Sequence, residues 1–502
     1  MRPIEAGDLA TLDFTKAAAA EALAWRNLLP PEPWLGVVAK YPELFGDYVR
    51  TRLEAGMANA PVVVARARKA HQQTRPVPVV GIPERIAYRA LSSRVLADIA
   101  SVDRSSEAYA RFVAGPIEAA YQGKRFLRVS DAVYQYVIES DITAFYEYVD
   151  HARLLAELQL RTSEVGPPQL LVELLTEVQG RSFGLPQLLD PSDELSEVYA
   201  RIVERELQRS GIEAWRYNDD FRLAARTYDE AQANLEALAQ VASTVGLVLN
   251  ERKTRVVKFF NYFWKNWIES PTEGDVEFKP ELIKAEGVYG ELDDDGLAEL
   301  AKESFERLDQ PAGSPTHLDA RDLSAEDSRL LGRAIAISTK QANSVGLKHV
   351  STLYEYAPHL THRLGPYLVA LNVKAVDVGP TWDALVGRGQ FFNAWQRVWL
   401  VYVARVCGLL SDPARQGWVQ TQRTEGDALL RAEATLALAP FKLASFDDID
   451  RAVRSEPEAL LPWYALAAKA IPNVNAKRLE ALKESHRLVE LLLHKPEKKP
   501  KS

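Results

Sequence analysis

The chain has 502 residues, 47% of them hydrophobic and 26% charged, with a formal net charge of −8 at pH 7. That composition describes a folded, soluble protein of two or three domains and does not favour strong non-specific binding to duplex nucleic acid. The single cysteine, Cys407, excludes an intrachain disulfide and a multi-cysteine zinc site, fits a reducing cytosol, and lies in an apolar stretch that predicts a buried thiol. No apolar run approaches the ~20 residues of a membrane span, and Met1-Arg2-Pro3-Ile4-Glu5 has no apolar signal core, so a cytoplasmic protein is expected.

Residues 1–60 read as helices, with Ala17–Leu28 a strong helix former closed by Pro30-Pro31. Residues 61–130 are basic, carrying Arg66, Arg68, Lys69, Arg75, Arg85 and Arg89. The strand-like Tyr134–Ile138 then leads into Ser140-Asp141-Ile142-Thr143-Ala144-Phe145-Tyr146. Gly184-Leu185-Pro186-Gln187 and Ser192 precede a helix whose apolar positions Leu195, Val198, Tyr199, Ile202, Val203 and Leu207 fall on one face. His151, beside Asp150, reads as part of a helix cap.

The hexapeptide Arg216-Tyr217-Asn218-Asp219-Asp220-Phe221 lies between two short strand-like stretches. Asn218-Asp219 suits the tight turn of a hairpin, since Asn and Asp tolerate positive φ. Leu235, Leu238, Ala242 and Val245 predict another helix, stopped at Gly246 and followed by Gly246-Leu247-Val248-Leu249-Asn250-Glu251-Arg252-Lys253-Thr254. The order strand, helix, helix, hairpin, helix, strand predicts an α+β layer: an antiparallel sheet with helices on one face. The other face is expected to be open and to carry Asp141, Asp219 and Asp220. The aromatic run Phe259–Trp267 reads as core beneath this sheet, with a base-stacking strand as the alternative.

Between Glu269 and Asp327 stand 18 acidic and 5 basic residues, a net −13 that leaves +5 for the rest of the chain. We expect a solvated connector there, with one amphipathic helix over Leu297–Leu308 and a break at Pro311–Pro315. Helical patterns then recur at Val350–Leu371, Phe391–Leu410, Gly426–Ala439, Ile449–Arg454 and Leu460–Ala470, a spacing that suggests HEAT-like repeats. The lysine-rich tail Lys495–Lys501 reads as disordered.

Taken in order, these segments resemble the motifs of reverse transcriptases. Ser140–Tyr146 is similar to motif A, Gly184–Gln187 to motif B, Tyr217–Asp220 to the Tyr-x-Asp-Asp hairpin of motif C, and Gly246–Thr254 to motif D. Arg75-Pro76-Val77-Pro78, Ile82-Pro83-Glu84-Arg85 and Ala90-Leu91 resemble the fingers motifs. Trp395-Gln396-x-x-Trp399 and Arg431-Ala432 are similar to stretches of the helical domain of bacterial abortive-infection reverse transcriptases, of the unknown-group, defence-associated class. The resemblance implies N-terminal helices and fingers over 1–128, an RRM-like palm over 129–268, an acidic connector over 269–327 and an all-α repeat domain over 328–502.

Hard divalent cations prefer carboxylate oxygens, so Asp141, Asp219 and Asp220, with the Ile142 carbonyl, are the candidate ligands of two Mg²⁺ ions, for which Mn²⁺ can substitute. The resemblance makes Lys253 a candidate general acid for the leaving pyrophosphate, and Tyr146 the aromatic that senses the sugar. Gln187 corresponds to the glutamine that contacts the incoming nucleotide, and Arg75, with Lys69 and Arg85 as alternatives, to a fingers cation for the triphosphate. One departure stands out: Leu188 occupies the position where the family usually has Gly.

What the resemblance implies is a bacterial, cytoplasmic, Mg²⁺-dependent DNA polymerase of anti-phage defence, taking deoxynucleoside triphosphates and forming a homo-oligomer. Leu188, the modest charge and a helical domain in place of a duplex-gripping thumb point to untemplated synthesis primed by a tyrosine, with DNA left covalently attached. Tyr41 and Tyr48 are the priming candidates; Tyr354, Tyr356 and Tyr367 are the alternatives. Two rivals stand beside this: synthesis templated by a bound non-coding RNA, and a catalytically silent helical sensor or scaffold.

Overall fold

In the computed structural model, the described residues are 9–24, 28–56, 60–70, 73–99, 103–122, 126–127, 132–266, 276–277, 294–388 and 391–494. Two compact units emerge. One comprises residues 91–291; the other joins residues 2–90 to residues 292–502. This differs from the expected domain order, in which residues 1–128 stand together ahead of the palm.

The N-terminal stretch forms α1 (Phe14–Leu23), α2 (Leu35–Lys40) and α3 (Pro42–Glu54), a hairpin of β1 (Val63–Arg68) and β2 (Thr74–Val79), and α4 (Ile82–Val95). Helix α1 begins earlier than the sequence pattern suggests, because Asp13 caps it by accepting from the Lys16 N–H. The hairpin is a two-stranded antiparallel sheet, so Pro76 and Pro78 lie on a strand with one free edge, where a missing N–H is tolerated.

The unit of residues 91–291 contains α5 (Ser106–Tyr121), β3 (Phe126–Leu127), β4 (Tyr136–Asp141), α6 (His151–Thr162), α7 (Gly166–Gln179) and α8 (Asp190–Arg209). These are followed by β5 (Ala214–Tyr217), β6 (Asp220–Ala225), α9 (Tyr228–Thr244), β7 (Arg255–Lys258), α10 (Phe259–Asn266) and β8 (Val276–Glu277). The main sheet runs β5-β6-β4-β7, antiparallel throughout. Its register pairs Asp141 with Asp220 and Glu139 with both Arg222 and Arg255.

Strand alternation sends Ile138, with Leu223, Phe221 and Ala225 of β6, towards α8 and α9, whose one-face apolar patterns were legible in sequence. The opposite face is not open along its length. Val137 and Ala224 pack there against Phe112, Val113 and Ile117 of α5 and against Phe259, Tyr262 and Phe263 of α10. Gly115 permits this approach, since a Cβ there would collide with the Trp215 ring. Phe259, Tyr262 and Phe263 are therefore core, as expected, but on one helical face; Phe260 is exposed, and Trp267 lies outside the described residues. Only the end of this face beyond the aromatic core carries the carboxylates.

The remaining helices are α11 (Asp294–Asp309), α12 (Ala325–Gln341), α13 (Val350–Tyr356), α14 (Thr361–Val373), α15 (Gly379–Val386) and α16 (Ala394–Val406). After them come α17 (Pro413–Glu425), α18 (Ala428–Leu438), α19 (Phe446–Ser455), α20 (Leu461–Ala470), α21 (Ala476–Ser485) and α22 (Arg487–Leu492). This part is all-helical, with α12, α14, α16, α18 and α20 packing each against the next. The pattern over Val350–Leu371 is broken by Pro358, which starts a 3₁₀ turn between α13 and α14.

The expected solvated connector helix is not solvated along its length. Ala301 and Phe305 of α11 are buried, and the Phe305 ring stacks on His349. Residues 267–275 and 278–293 of the acidic stretch, and the tail from 495, lie outside the described residues. Cys407 is half-buried at the end of α16, and burial pushes its thiol up to about 11.

The N-terminal stretch is tied to these helices by specific bonds. Trp395 and Trp399 both donate to the Leu28 carbonyl, at 2.5 and 3.2 Å, and Asn393 donates to the Arg66 carbonyl at 2.9 Å. Arg52 of α3 bridges Glu84 of α4 and Glu458 at 3.2 and 2.6 Å. Among the described residues, no helix is long and apolar enough to cross a membrane.

Candidate functional site

Three carboxylates converge where β4 ends and the β5–β6 hairpin turns. Each of Asp141, Asp219 and Asp220 offers an oxygen within 4.8 Å of the others. The backbone explains the convergence. Asp141 closes β4 opposite Asp220, the first residue of β6, and Asp219 sits in the two-residue turn between Tyr217 and Asp220. Asn218 takes the positive φ of that turn, at 55°. The Ile142 N–H donates to the Asp219 carbonyl at 3.1 Å, clamping the strand end to the hairpin.

The turn is also held from beneath. The Arg216 guanidinium donates to the Asn218 carbonyl at 3.0 Å and to Glu197 at 2.9 Å, with Glu204 3.3 Å away. Its side chain is only 4% exposed, so a full positive charge lies buried against two carboxylates of α8.

The segment Gly246–Thr254 comes back to the same place. Asn250 donates its N–H to the Asp141 carbonyl at 2.7 Å and its side-chain amide to Asp141 Oδ2 at 3.0 Å. Lys253 Nζ lies 3.0 Å from Asp141 Oδ1. One ammonium thus faces three carboxylates. Burial, with help from Asp219 and Asp141 and against Arg222 and Lys253, pushes the Asp220 carboxyl up to about 6. Three crowded carboxyl groups are the donor set that a hard divalent cation satisfies.

Two residues along β4, Glu139 is surrounded by cations. Arg255 bonds it, Lys265 lies 3.3 Å away and Arg222 3.6 Å away. Burial opposes ionisation there, but the three cations hold the carboxyl below its ordinary value. This leaves an excess of positive charge beside the acidic cluster, with the Arg255 and Lys265 side chains more than half exposed.

Tyr146 stands on the 3₁₀ turn Phe145–Glu147 that follows β4. Its carbonyl accepts from the Leu185 N–H at 2.7 Å, bringing the Gly184–Leu188 loop against the segment after Asp141. Gln187 is half-exposed on that loop, and Leu188 adopts φ 67°, a left-handed conformation costly for a branched side chain. His151 belongs to the scaffold: its Nε2 donates to the Gly184 carbonyl at 2.8 Å and its Nδ1 lies 2.9 Å from the Thr176 hydroxyl.

The other sequence candidates lie in the second unit. Arg75 is half-exposed on β2, and Lys69 lines a cavity of about 80 Å³ with Arg321, Asp322, Tyr356 and His359. Arg85 is corrected. Its side chain is 0% exposed and bonded to Glu21 and Glu32 at 2.6 and 2.5 Å, with the Trp34 ring 4.9 Å away, so it serves the core and not a triphosphate.

The tyrosine candidates also differ from expectation. Tyr48 accepts from Arg52 at 3.1 Å and donates to Glu458 at 3.5 Å, and burial pushes its phenol up to about 12. Tyr41 packs edge-on against the His494 ring with its hydroxyl buried. Tyr354 and Tyr367 are core residues whose hydroxyls donate to the Gln396 and Asn343 carbonyls; Tyr356 is 39% exposed beneath Arg321. Sequence reasoning gave no role to Asn250 or Arg216, nor to Arg104 and Asp193, whose partners lie far away in sequence.

No protein-family model and no curated protein sequence matches the chain. Among solved structures it is similar to telomerase from Candida albicans in complex with the TWJ fragment of telomeric RNA. That match has 12% identity and a TM-score of 0.34, covering 77% of this chain and 69% of that one. Telomerase from Candida tropicalis, in the same kind of complex, gives 10%, 0.32, 70% and 64%. These values describe a partial likeness between chains and carry no residue roles.

Proposed function

We propose that the chain is a Mg²⁺-dependent nucleotidyltransferase of the reverse-transcriptase type that builds DNA from deoxynucleoside triphosphates. The observation that supports this best is the convergence of Asp141, Asp219 and Asp220 within 4.8 Å on a hairpin-and-strand frame. In this reading Asp141 and Asp219 bind the metal directly, with Asp220 and the Ile142 carbonyl completing the set. Bound Mg²⁺ would supply positive charge at the attacking and leaving oxygens.

The chain's own residues then divide the work. A 3′-hydroxyl forms a bond to the α-phosphorus while the bond to pyrophosphate breaks, and the hydroxyl proton passes to solvent. Lys253 exchanges Asp141 for the leaving pyrophosphate and donates a proton to it. The Tyr146 ring lies under the sugar and clashes with a 2′-hydroxyl. Gln187 contacts the nucleotide. The all-α part is a HEAT-like array.

Within this reading, synthesis is untemplated, starts from a tyrosine of the chain and serves anti-phage defence, with homo-oligomers as the working form. Leu188 supports the first point, because the family resemblance expects Gly there and a leucine adds bulk beside the Gln187 position. Tyr48 is a poor nucleophile in its present bonds and the Tyr41 hydroxyl is buried, so the exposed Tyr356 moves ahead of both. The test is incubation of purified protein with labelled deoxynucleotides and Mg²⁺ but no nucleic acid, followed by digestion with protease or nuclease. Label that migrates with protein and shifts on protease treatment supports the reading. Label that appears only after RNA is added contradicts it and favours a non-coding RNA template.

A further inference from the structure

Tyr146 is not a free aromatic. Its hydroxyl donates to Asp193 Oδ1 at 2.5 Å, and Ser196, one turn along α8, approaches the same hydroxyl at 3.5 Å. Asp193 is held in turn by Arg104, whose Nη1 lies 3.0 Å from Oδ1 and whose Nη2 donates to the Asp193 carbonyl at 2.9 Å. The same guanidinium stands 3.4 Å from the Tyr146 hydroxyl. At its other end, the Arg104 carbonyl accepts from Tyr217, the tyrosine of the metal hairpin, at 3.0 Å. Tyr217 is itself packed edge-on against Tyr109 of α5, at 5.2 Å between ring centres.

A steric sensor discriminates only as well as it resists displacement. A ring that could swing aside would relieve the clash with a 2′-hydroxyl at little cost. A hydrogen bond to a charged carboxylate, itself locked by an arginine, makes that motion expensive. Arg104 also ties the ring's anchor to the hairpin bearing Asp219 and Asp220, so sugar and metal positions are set against one frame.

We propose that Asp193 and Arg104 are positioning residues that fix Tyr146 and thereby set the preference for deoxyribonucleotides over ribonucleotides. This rests on the polymerase reading above and on Tyr146 as its sugar sensor.

The experiment compares KM for dATP and ATP, with Mg²⁺, in wild type, Tyr146→Ala, Tyr146→Phe, Asp193→Ala and the Tyr146→Phe/Asp193→Ala double variant. Tyr146→Phe cuts the same bond from the other end, so a poorly folding Asp193→Ala does not leave the idea untried. We expect Tyr146→Phe and Asp193→Ala each to reduce the preference for dATP by roughly tenfold, from the loss of one charge-assisted bond. The double variant should be no worse than either alone, because both remove the same interaction. A preference lost in Tyr146→Ala but unchanged in Tyr146→Phe and Asp193→Ala overturns the positioning role alone. Additive losses overturn it too, since independent effects would then explain both variants. A preference unchanged in all of them overturns Tyr146 as the sensor and the proposal with it.

Discussion

Lys253 and Asp141 are joined at 3.0 Å, and Asn250 holds the second oxygen of the same carboxylate at 3.0 Å. Both oxygens of the most buried acid in the cluster are therefore occupied by side chains of the segment Gly246–Thr254. A cation entering the site has to share Asp141 with Lys253 or displace it. Because the lysine side chain is 62% exposed, it can leave for a nearby phosphate without opening the core.

Replacing Lys253 with Met should therefore separate two properties. Divalent-cation affinity, read by titration with Mn²⁺, should rise by roughly three- to tenfold, since one competing positive charge is gone. In the proposed polymerase reading, nucleotide incorporation should fall, because that reading makes Lys253 the proton donor to pyrophosphate. Unchanged metal affinity would mean that the ion pair exerts no hold on the site.

Asp220 links the site to stability. Its carboxyl titrates at about 6 when folded, against 3.8 for an ordinary aspartate, mainly through burial. Between those values the folded state binds more protons than the unfolded state, so stability falls as pH rises through the window. The shift corresponds to about 1–3 kcal/mol after allowance for partial exposure. Asp220→Asn should raise the melting temperature of metal-free protein at pH 7.5 and have little effect near pH 4. A variant that is no more stable at pH 7.5 would show that the carboxylate is not strained there.

Arg216 should be among the most costly truncations in this unit. Arg216→Ala strands Glu197 and Glu204 and unties the Asn218 carbonyl, which predicts a loss of about 3–5 kcal/mol in denaturant unfolding. A loss below about 1 kcal/mol would place the support of the hairpin elsewhere.

Leu188 makes the opposite prediction. Relief of the left-handed strain, worth about 1–2 kcal/mol, offsets the added chain entropy of Gly, about 0.5–1 kcal/mol. Leu188→Gly should therefore be neutral to stabilising, by up to about 1.5 kcal/mol, whereas Leu188→Val, β-branched at φ 67°, should destabilise clearly. If the leucine blocks a template path, the Gly variant should also use an added primer–template better than wild type does.

The palm-like arrangement was legible because its signals are local. The strand-like Tyr134–Ile138, the Asn218-Asp219 turn and the one-face helix at Leu195–Leu207 each predict their element from a few residues. The burial of Arg85 was not legible, since Glu21 and Glu32 stand far from it in sequence and a basic residue in a basic stretch gives no sign of being enclosed. Nor was the covering of the carboxylate-bearing sheet face: Phe259, Tyr262 and Phe263 become one apolar stripe only once the run is known to be helical. The grouping of residues 2–90 with 292–502 depends on contacts such as Trp395 to Leu28, which no local pattern announces. Within the site, Asp141, Asp219 and Asp220 were found from residue type and spacing, while Asn250, Arg104 and Asp193 emerged only from geometry.

The central claim is metal-dependent nucleotidyl transfer at the three aspartates, and one measurement tests it most directly. Purified wild type, Asp141→Asn and Asp219→Asn, each confirmed as folded, are given labelled deoxynucleotides with and without Mg²⁺. The polymerase reading predicts incorporation by wild type that requires Mg²⁺, and loss of at least about a hundredfold in both variants. Undiminished Mg²⁺-dependent incorporation by both variants would contradict the assignment of the site.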